Sequence, residues 1–195
     1  MVKIVAINHF TLDGVIQGPG SPDEDPRDGF EYGGWAGTQY DPVLQQTVGA
    51  RMGSSWSQLA GRRTYEHFSK VWPKMPKPNP FTDILNTVDK FVVSNSLREP
   101  LSWENSHLLQ GDAADAVGRL KAEHDKRLVI FGSGVLVRSL MSKRLVDEFV
   151  LQIHPVVLGK GRRLFEPGVR KTDFTLVEST VTKAGIMVCA YQLRQ

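Results

Sequence analysis

Apolar and polar positions along this chain fall into short buried-looking runs separated by turn residues, with helical stripes between them. Residues 2–8, VKIVAIN, form a nearly unbroken apolar run, the pattern of a strand covered on both faces. A short run at 57–60 leads into a segment beginning at Arg62 and Arg63 and reaching about Val71, which predicts strand then helix. Further strands are predicted at 90–94 and, more weakly, at 107–110. Apolar residues at 113, 116, 117 and 120 trace one helical face behind an Asp112 cap. RLVIFGSGVLVRSLM repeats the order strand, glycine, helix over 127–132 and 134–143. A strand of mixed burial follows within 147–159, and the runs at 174–182 and 185–193 are joined tightly enough for an antiparallel hairpin.

Two segments stand apart from this rhythm. Residues 41–52 read as a helix with Asp41 as its cap and Pro42 in its first position. Before it, residues 18–40 are rich in Gly, Pro and Asp, yet carry Phe30, Tyr32 and Trp35. A long irregular stretch with embedded aromatics predicts a packed, ligand-facing loop. The connection WPKMPKPNP at 72–80 is read as irregular. Strands alternating with helices, then a hairpin, give an α/β fold. Its central sheet is mostly parallel, flanked by helices, with an antiparallel C-terminal edge, and residues 1–195 make one domain.

Composition narrows the function classes. The 195 residues hold 24 Lys and Arg against 21 Asp and Glu, a net charge of +3 with the basic residues scattered rather than massed on one face. That argues against a nucleic-acid binder and leaves room for one or two phosphate pockets. The five histidines show no metal-ligand spacing, so no metal is expected. The lone Cys189 lies in an apolar run and reads as a small core residue, and a chain with no possible internal disulfide suits a reducing, cytoplasmic setting. No leader and no run of 18 apolar residues is visible, so no membrane partner is expected.

The chemistry gathers at strand ends. An ordinary helix start carries a polar cap and acidic residues, because its positive dipole end repels cations. LAGRRT at 59–64 does the opposite, placing Gly61, Arg62 and Arg63 there. Arginine forks suit phosphate oxygens. Gly132 and Gly134 sit at a second strand-to-helix turn, where backbone amides can meet an anion at close range. Their spacing is not that of the Rossmann fingerprint, since Val137 occupies its third glycine position. VVSNSL at 92–97 ends a third strand in small polar residues. Three such strand ends on one sheet edge fit an extended dinucleotide better than a lone phosphate.

In this order, TLDGVIQG, GRRTYE, VVSNSL, FGSGVLVRSLM and DEFVLQIHPVVLGKGRRLF resemble the dihydrofolate reductase superfold. The resemblance is stronger to the reductase domain of the riboflavin-biosynthesis enzyme. It implies NADPH binding and hydride transfer to a small heterocycle, pterin-like or aminopyrimidine-like. Gly61, Arg62, Arg63 and Thr64 would then hold the pyrophosphate and 2′-phosphate, and Ser94, Asn95 and Ser96 would lie by the adenosine ribose. Gly132, Ser133, Gly134, Val135 and Leu136 would cradle the pyrophosphate, with Ala6, Ile7 and Ile16 lining the nicotinamide. The family usually has two adjacent glycines where this chain reads Gly132, Ser133, Gly134. Phe30, Trp35, Gly161 and Arg162 would face the substrate, and the family habit implies a homodimer. Asp41 and Asp13 are the carboxylates available to assist protonation, although each is equally explained as a cap or turn former. A second reading stays open: a non-catalytic nucleotide-binding module of the same fold.

Overall fold

The computed structural model describes residues 2–37 and 41–194, and within them eight strands form one sheet in the order β4-β3-β2-β5-β1-β6-β8-β7. In chain order these are β1 (Ile4–Thr11), α1 (Pro42–Met52), β2 (Trp56–Gly61), α2 (Arg62–Val71) and α3 (Pro80–Thr87). They continue as β3 (Lys90–Val93), β4 (Ser106–Leu109), α4 (Ala113–Glu123), β5 (Arg127–Phe131), α5 (Gly134–Ser142), β6 (Glu148–His154), β7 (Phe174–Val181) and β8 (Met187–Leu193). Strands β4 to β6 in the spatial order are all parallel, while β8 pairs antiparallel with both β6 and β7. The expected architecture is present, hairpin included.

β1 is central because its first four residues are apolar on both faces and lie between β5 and β6. Ile4 and Ala6 face a core completed by α4 and α5 through Val117, Leu136, Val137 and Leu140. Val5 and Ile7 face the opposite core, where Met52 of α1, Tyr65 of α2 and Leu85 of α3 pack with Trp56 and Val129. Two helices thus cover one face and three the other. No helix among the described residues is long and apolar enough to cross a membrane.

The sequence pattern places no helix between the connection at 72–80 and the strand at 90, yet α3 begins at Pro80. Asn79 accepts from the Thr82 amide at 3.1 Å and Pro80 opens α3. This is a regular helix start, hidden in sequence by the prolines before it. The loop at 18–37 is indeed packed. Gln17 donates to the carbonyls of Asp25 and Arg27, its Oε1 accepts from the Arg162 amide, and its carbonyl accepts from Trp35 Nε1. Residues 38–40, the end of the loop as read from sequence, lie outside the described residues.

Candidate functional site

Helix capping separates the five helices into two kinds. Asp41, Asn79 and Asp112 each accept hydrogen bonds from first-turn amides of α1, α3 and α4. The α2 and α5 starts have no side-chain cap and no acidic residue in the first turn. These two are the glycine turns, and their amides are left for another acceptor.

The two uncapped starts are also joined to each other. β2 and β5 are neighbours, so the turns lie side by side, and the Gly61 amide donates to Ser133 Oγ at 3.1 Å. Ser133 is left-handed, with φ 52° and ψ 41°, a conformation in which glycine is free and serine is strained. The hydroxyl offsets part of that strain by binding the neighbouring turn. Ser133→Ala keeps the strain and loses the bond, so its urea midpoint should fall by the equivalent of about 1–2 kcal/mol. Ser133→Gly loses both and should stay within about 1 kcal/mol of the parent.

Three further contacts close the cradle. Gly132 has φ +57°, and a side chain built on it would meet only Thr64 Oγ1, at 3.8 Å, so its free side opens along the start of α2. On Gly134 a Cβ would fall 2.4 Å from Ile16 Cδ1, so Ile16 rests directly on that turn. The Gly132 amide donates to the Ile7 carbonyl at 3.2 Å. Ala6, Ile7, Ile16, Gly61, Thr64 and the 132–136 segment are therefore one assembly, with Leu136 buried beneath it and Val135 exposed.

The cations stand ready at its rim. Arg62 is held by Glu66 one turn on, at 3.1 Å, and both side chains are more than a third exposed. Such a pair contributes about 0.3–0.5 kcal/mol and yields readily to a better anion. Arg63 is exposed and has no ion-pair or hydrogen-bond partner among the described residues. The third strand end is less open than expected. Ser94 Oγ accepts from the Ser96 and Leu97 amides and shares a hydrogen bond with Ser96 Oγ at 3.3 Å, and Asn95 spans to both polar backbone atoms of Gly111.

The carboxylates and loop residues serve as braces. Asp41 accepts from the Val43 and Leu44 amides at 2.9 and 3.1 Å. Asp13 accepts from Thr11 Oγ1 at 2.7 Å and from the Leu158 and Gly159 amides at 3.2 and 2.9 Å. Desolvation works against its charge, but these three donors outweigh it and hold the carboxyl below the usual range. Asp13 is thus kept ionised and ties the turn after β1 to the segment after β6. Phe30 and Gly161 pack together, Arg162 pairs with Asp28 at 2.7 Å, and they line a cavity of about 200 Å³ with Gln17, Arg27 and Lys160. Trp35, also expected to face substrate, reaches the C-terminal end of β6 at His154.

Sequence reading missed three polar residues at this end of the sheet. Asn8 is 2% exposed; its Nδ2 donates to the Gly132 carbonyl at 3.1 Å while its Oδ1 has no partner. His9 of β1 and His154 of β6 share a hydrogen bond, Nδ1 to Nε2 at 2.9 Å, and Trp35 meets His154 edge-on with ring centroids 5.3 Å apart. The available signal was the alternation along β1, which puts His9 on the face of Ile7; the partner strand was not legible. Burial, then the neighbouring His154, hold His9 down to about 4, and burial lowers His154 as well. In the unfolded chain His9 binds a proton near pH 6.5, whereas the folded chain refuses it until about pH 4. Stability is therefore full above pH 6.5 and declines as pH falls toward 4, by about 3 kcal/mol in all. Urea midpoints measured from pH 7 to 4 should show this slope, and His9→Gln should flatten it.

The family model for the RibD C-terminal domain matches residues 2–188. The chain belongs to the RibD C-terminal domain family. Among curated relatives, this RibD-type chain is 28% identical to the uncharacterised protein YyaP of Bacillus subtilis (strain 168) over 137 residues, 68% of this chain and 71% of YyaP. A putative riboflavin biosynthesis protein from Shewanella sp. PV-4 superposes with a TM-score of 0.73 at 21% identity, covering 100% of both chains. A dihydrofolate reductase from Enterococcus faecalis complexed with NADP(H) superposes with a TM-score of 0.63 at 13% identity, covering 99% of this chain and 97% of the other. The RibD-type chain therefore has the dihydrofolate reductase fold.

Proposed function

We propose that this RibD-family protein is an NADPH-dependent reductase that delivers hydride to a C=N or C=O bond of a small, flat heterocycle, pterin-like or aminopyrimidine-like. Family membership supports a reductase-type role. The observation that carries the cofactor is the pair of uncapped, hydroxyl-linked helix starts, beside two arginines. The dihydrofolate reductase neighbour, which shares this fold, was solved with NADP(H).

The residues present fit the cofactor. First-turn amides of α2 and α5, with Arg62, Arg63 and Thr64, would take the phosphates. Gly132, bare on its free side, lets a chain of phosphates approach the backbone. The orphaned Oδ1 of Asn8 would accept from a carboxamide, relieving a buried unpaired acceptor. Ile16, resting on the Gly134 turn, would present an apolar surface to the nicotinamide and keep water from it. NADPH, when bound, supplies the hydride. Trp35, set edge-on to His154, would position a flat acceptor.

Titration of the protein with NADPH and NADH, followed by tryptophan quenching, tests the reading. NADPH should bind in the micromolar range or tighter and NADH at least tenfold more weakly, and NADPH should then be oxidised in the presence of a dihydropterin or an aminouracil. Absence of binding by both nucleotides would remove the proposal.

A further inference from the structure

We propose that His9 and His154 form a two-ring proton relay that protonates the acceptor during reduction, His9 giving the proton and His154 refilling it from solvent. The inference rests on the reductase reading above. It supplies what the two carboxylates do not, since Asp13 and Asp41 are engaged with backbone amides.

Position comes first. His9 stands two residues beyond Ile7 on β1, so its side chain lies on the same face about 6.6 Å nearer the C-terminal edge. Ile7 itself touches the cradle through the Gly132 amide. His154 is in register with Thr11 on the adjoining strand and therefore shares that face. In an open parallel sheet, acceptors bind outside the carboxyl ends of the strands, where this pair stands. Trp35 packs against His154 and is itself anchored to the Gln17 carbonyl at 2.6 Å, so the pair is held from above.

The chemistry follows from the hydrogen bond. Two neutral imidazoles joined through Nδ1 of one and Nε2 of the other share one N–H. The remaining nitrogens, His9 Nε2 and His154 Nδ1, must then carry one proton between them: one is a donor and the other an acceptor. Shifting the shared proton, as one outer nitrogen loses its proton and the other gains one, exchanges those roles. Among the described residues no Asp or Glu lies within 4 Å of either ring, so nothing anionic pins one tautomer or draws a full charge onto the pair. Burial favours the neutral rings for the same reason.

The step balances. Hydride from the reduced nicotinamide forms a C–H bond at the acceptor carbon, and the π pair of the C=N or C=O bond moves to the heteroatom. That atom takes the proton from His9 Nε2. The shared proton passes from His154 Nε2 to His9 Nδ1, and His154 Nδ1 takes one from water. The acceptor is reduced by two electrons, the nicotinamide is oxidised, and one solvent proton is consumed. After product leaves, water reprotonates His9 Nε2 as His154 Nδ1 gives its proton up, restoring the starting tautomers.

Long-range ¹H–¹⁵N spectra of the full chain, uniformly labelled, read the pair without any substrate. We expect both rings neutral at pH 6 with one ring nitrogen of each unprotonated; two rings titrating independently near 6.5 would overturn the relay. His9→Gln and His154→Gln should keep NADPH affinity within about twofold yet each lower turnover with the dihydropterin or aminouracil probe about a hundredfold, the double variant being no worse than either single one. Turnover within threefold of the parent in either variant would overturn the relay alone. Binding of NADPH without oxidation by any probe in the parent protein would instead sink the reductase reading and the relay together.

Discussion

Gly161→Ala should cost about 3–5 kcal/mol of stability. Gly161 has φ +119°, a backbone conformation that L residues rarely adopt. The added Cβ would also lie 2.7 Å from Val15 Cγ1 and 2.8 Å from Phe30 Cε2. Val15 is fully buried, bridges to Arg163, and its amide is held by Thr11 Oγ1, so it cannot retreat. Phe30 would have to leave, carrying the 18–37 loop with it. Gly159→Ala is the matched control: two residues earlier, φ is +75° and nothing lies within 4 Å of the new atom. It should lose only about 1–2 kcal/mol. Urea unfolding of both variants separates strain from overlap. A Gly161→Ala loss no larger than that of Gly159→Ala would show that Phe30 is not a fixed brace.

Removing both arginines at the α2 start should weaken NADPH binding by at least a hundredfold, with each single Ala variant losing about 10- to 100-fold. The size follows from charge-assisted hydrogen bonds to phosphate, about 1.5–3 kcal/mol each. Arg62 and Arg63 differ in readiness. Arg62 must first leave Glu66, whereas Arg63 has no pair to break. Glu66→Gln should therefore tighten NADPH by about twofold, a gain absent in the Arg62→Ala background. Affinity should also fall with added salt, because both side chains are exposed. Fluorescence titrations at two ionic strengths check all of these. Binding unchanged in the double variant would place the phosphates elsewhere.

How far the sequence led can be judged from particular residues. The strands were legible because β5 and the first half of β1 are apolar runs buried on both faces, and the capped helices because Asp41 and Asp112 stand where caps belong. α3 was not, because Pro73, Pro76 and Pro78 read as one irregular connection running up to Asn79 and Pro80. The glycine turns were legible as separate motifs. Their connection through Ser133 Oγ was not, since it depends on β2 and β5 being neighbours while 66 residues of chain order separate Gly61 from Arg127. The histidine pair failed for the same reason: its partners are 145 residues apart, and only the β1–β6 register brings them together. Asp13 shows the converse. Residue type offered an acid, and the backbone amides of a distant loop turned it into a tie.

The strand order β3-β2-β5-β1 also acts as a ruler. Neighbouring strands lie about 4.8 Å apart, so the serine-rich end of β3 and the end of β1 beside Ile16 are separated by roughly 14 Å across the sheet edge. A ligand that satisfies both ends must lie across the strands, spanning two turns on its way, and each half of it meets a different set of side chains. The two halves of a dinucleotide are therefore not rivals for this edge. On the proposed NADPH reading, adenosine 2′,5′-bisphosphate and nicotinamide mononucleotide should occupy it together, with the linkage between them adding its advantage as effective concentration rather than as new contacts.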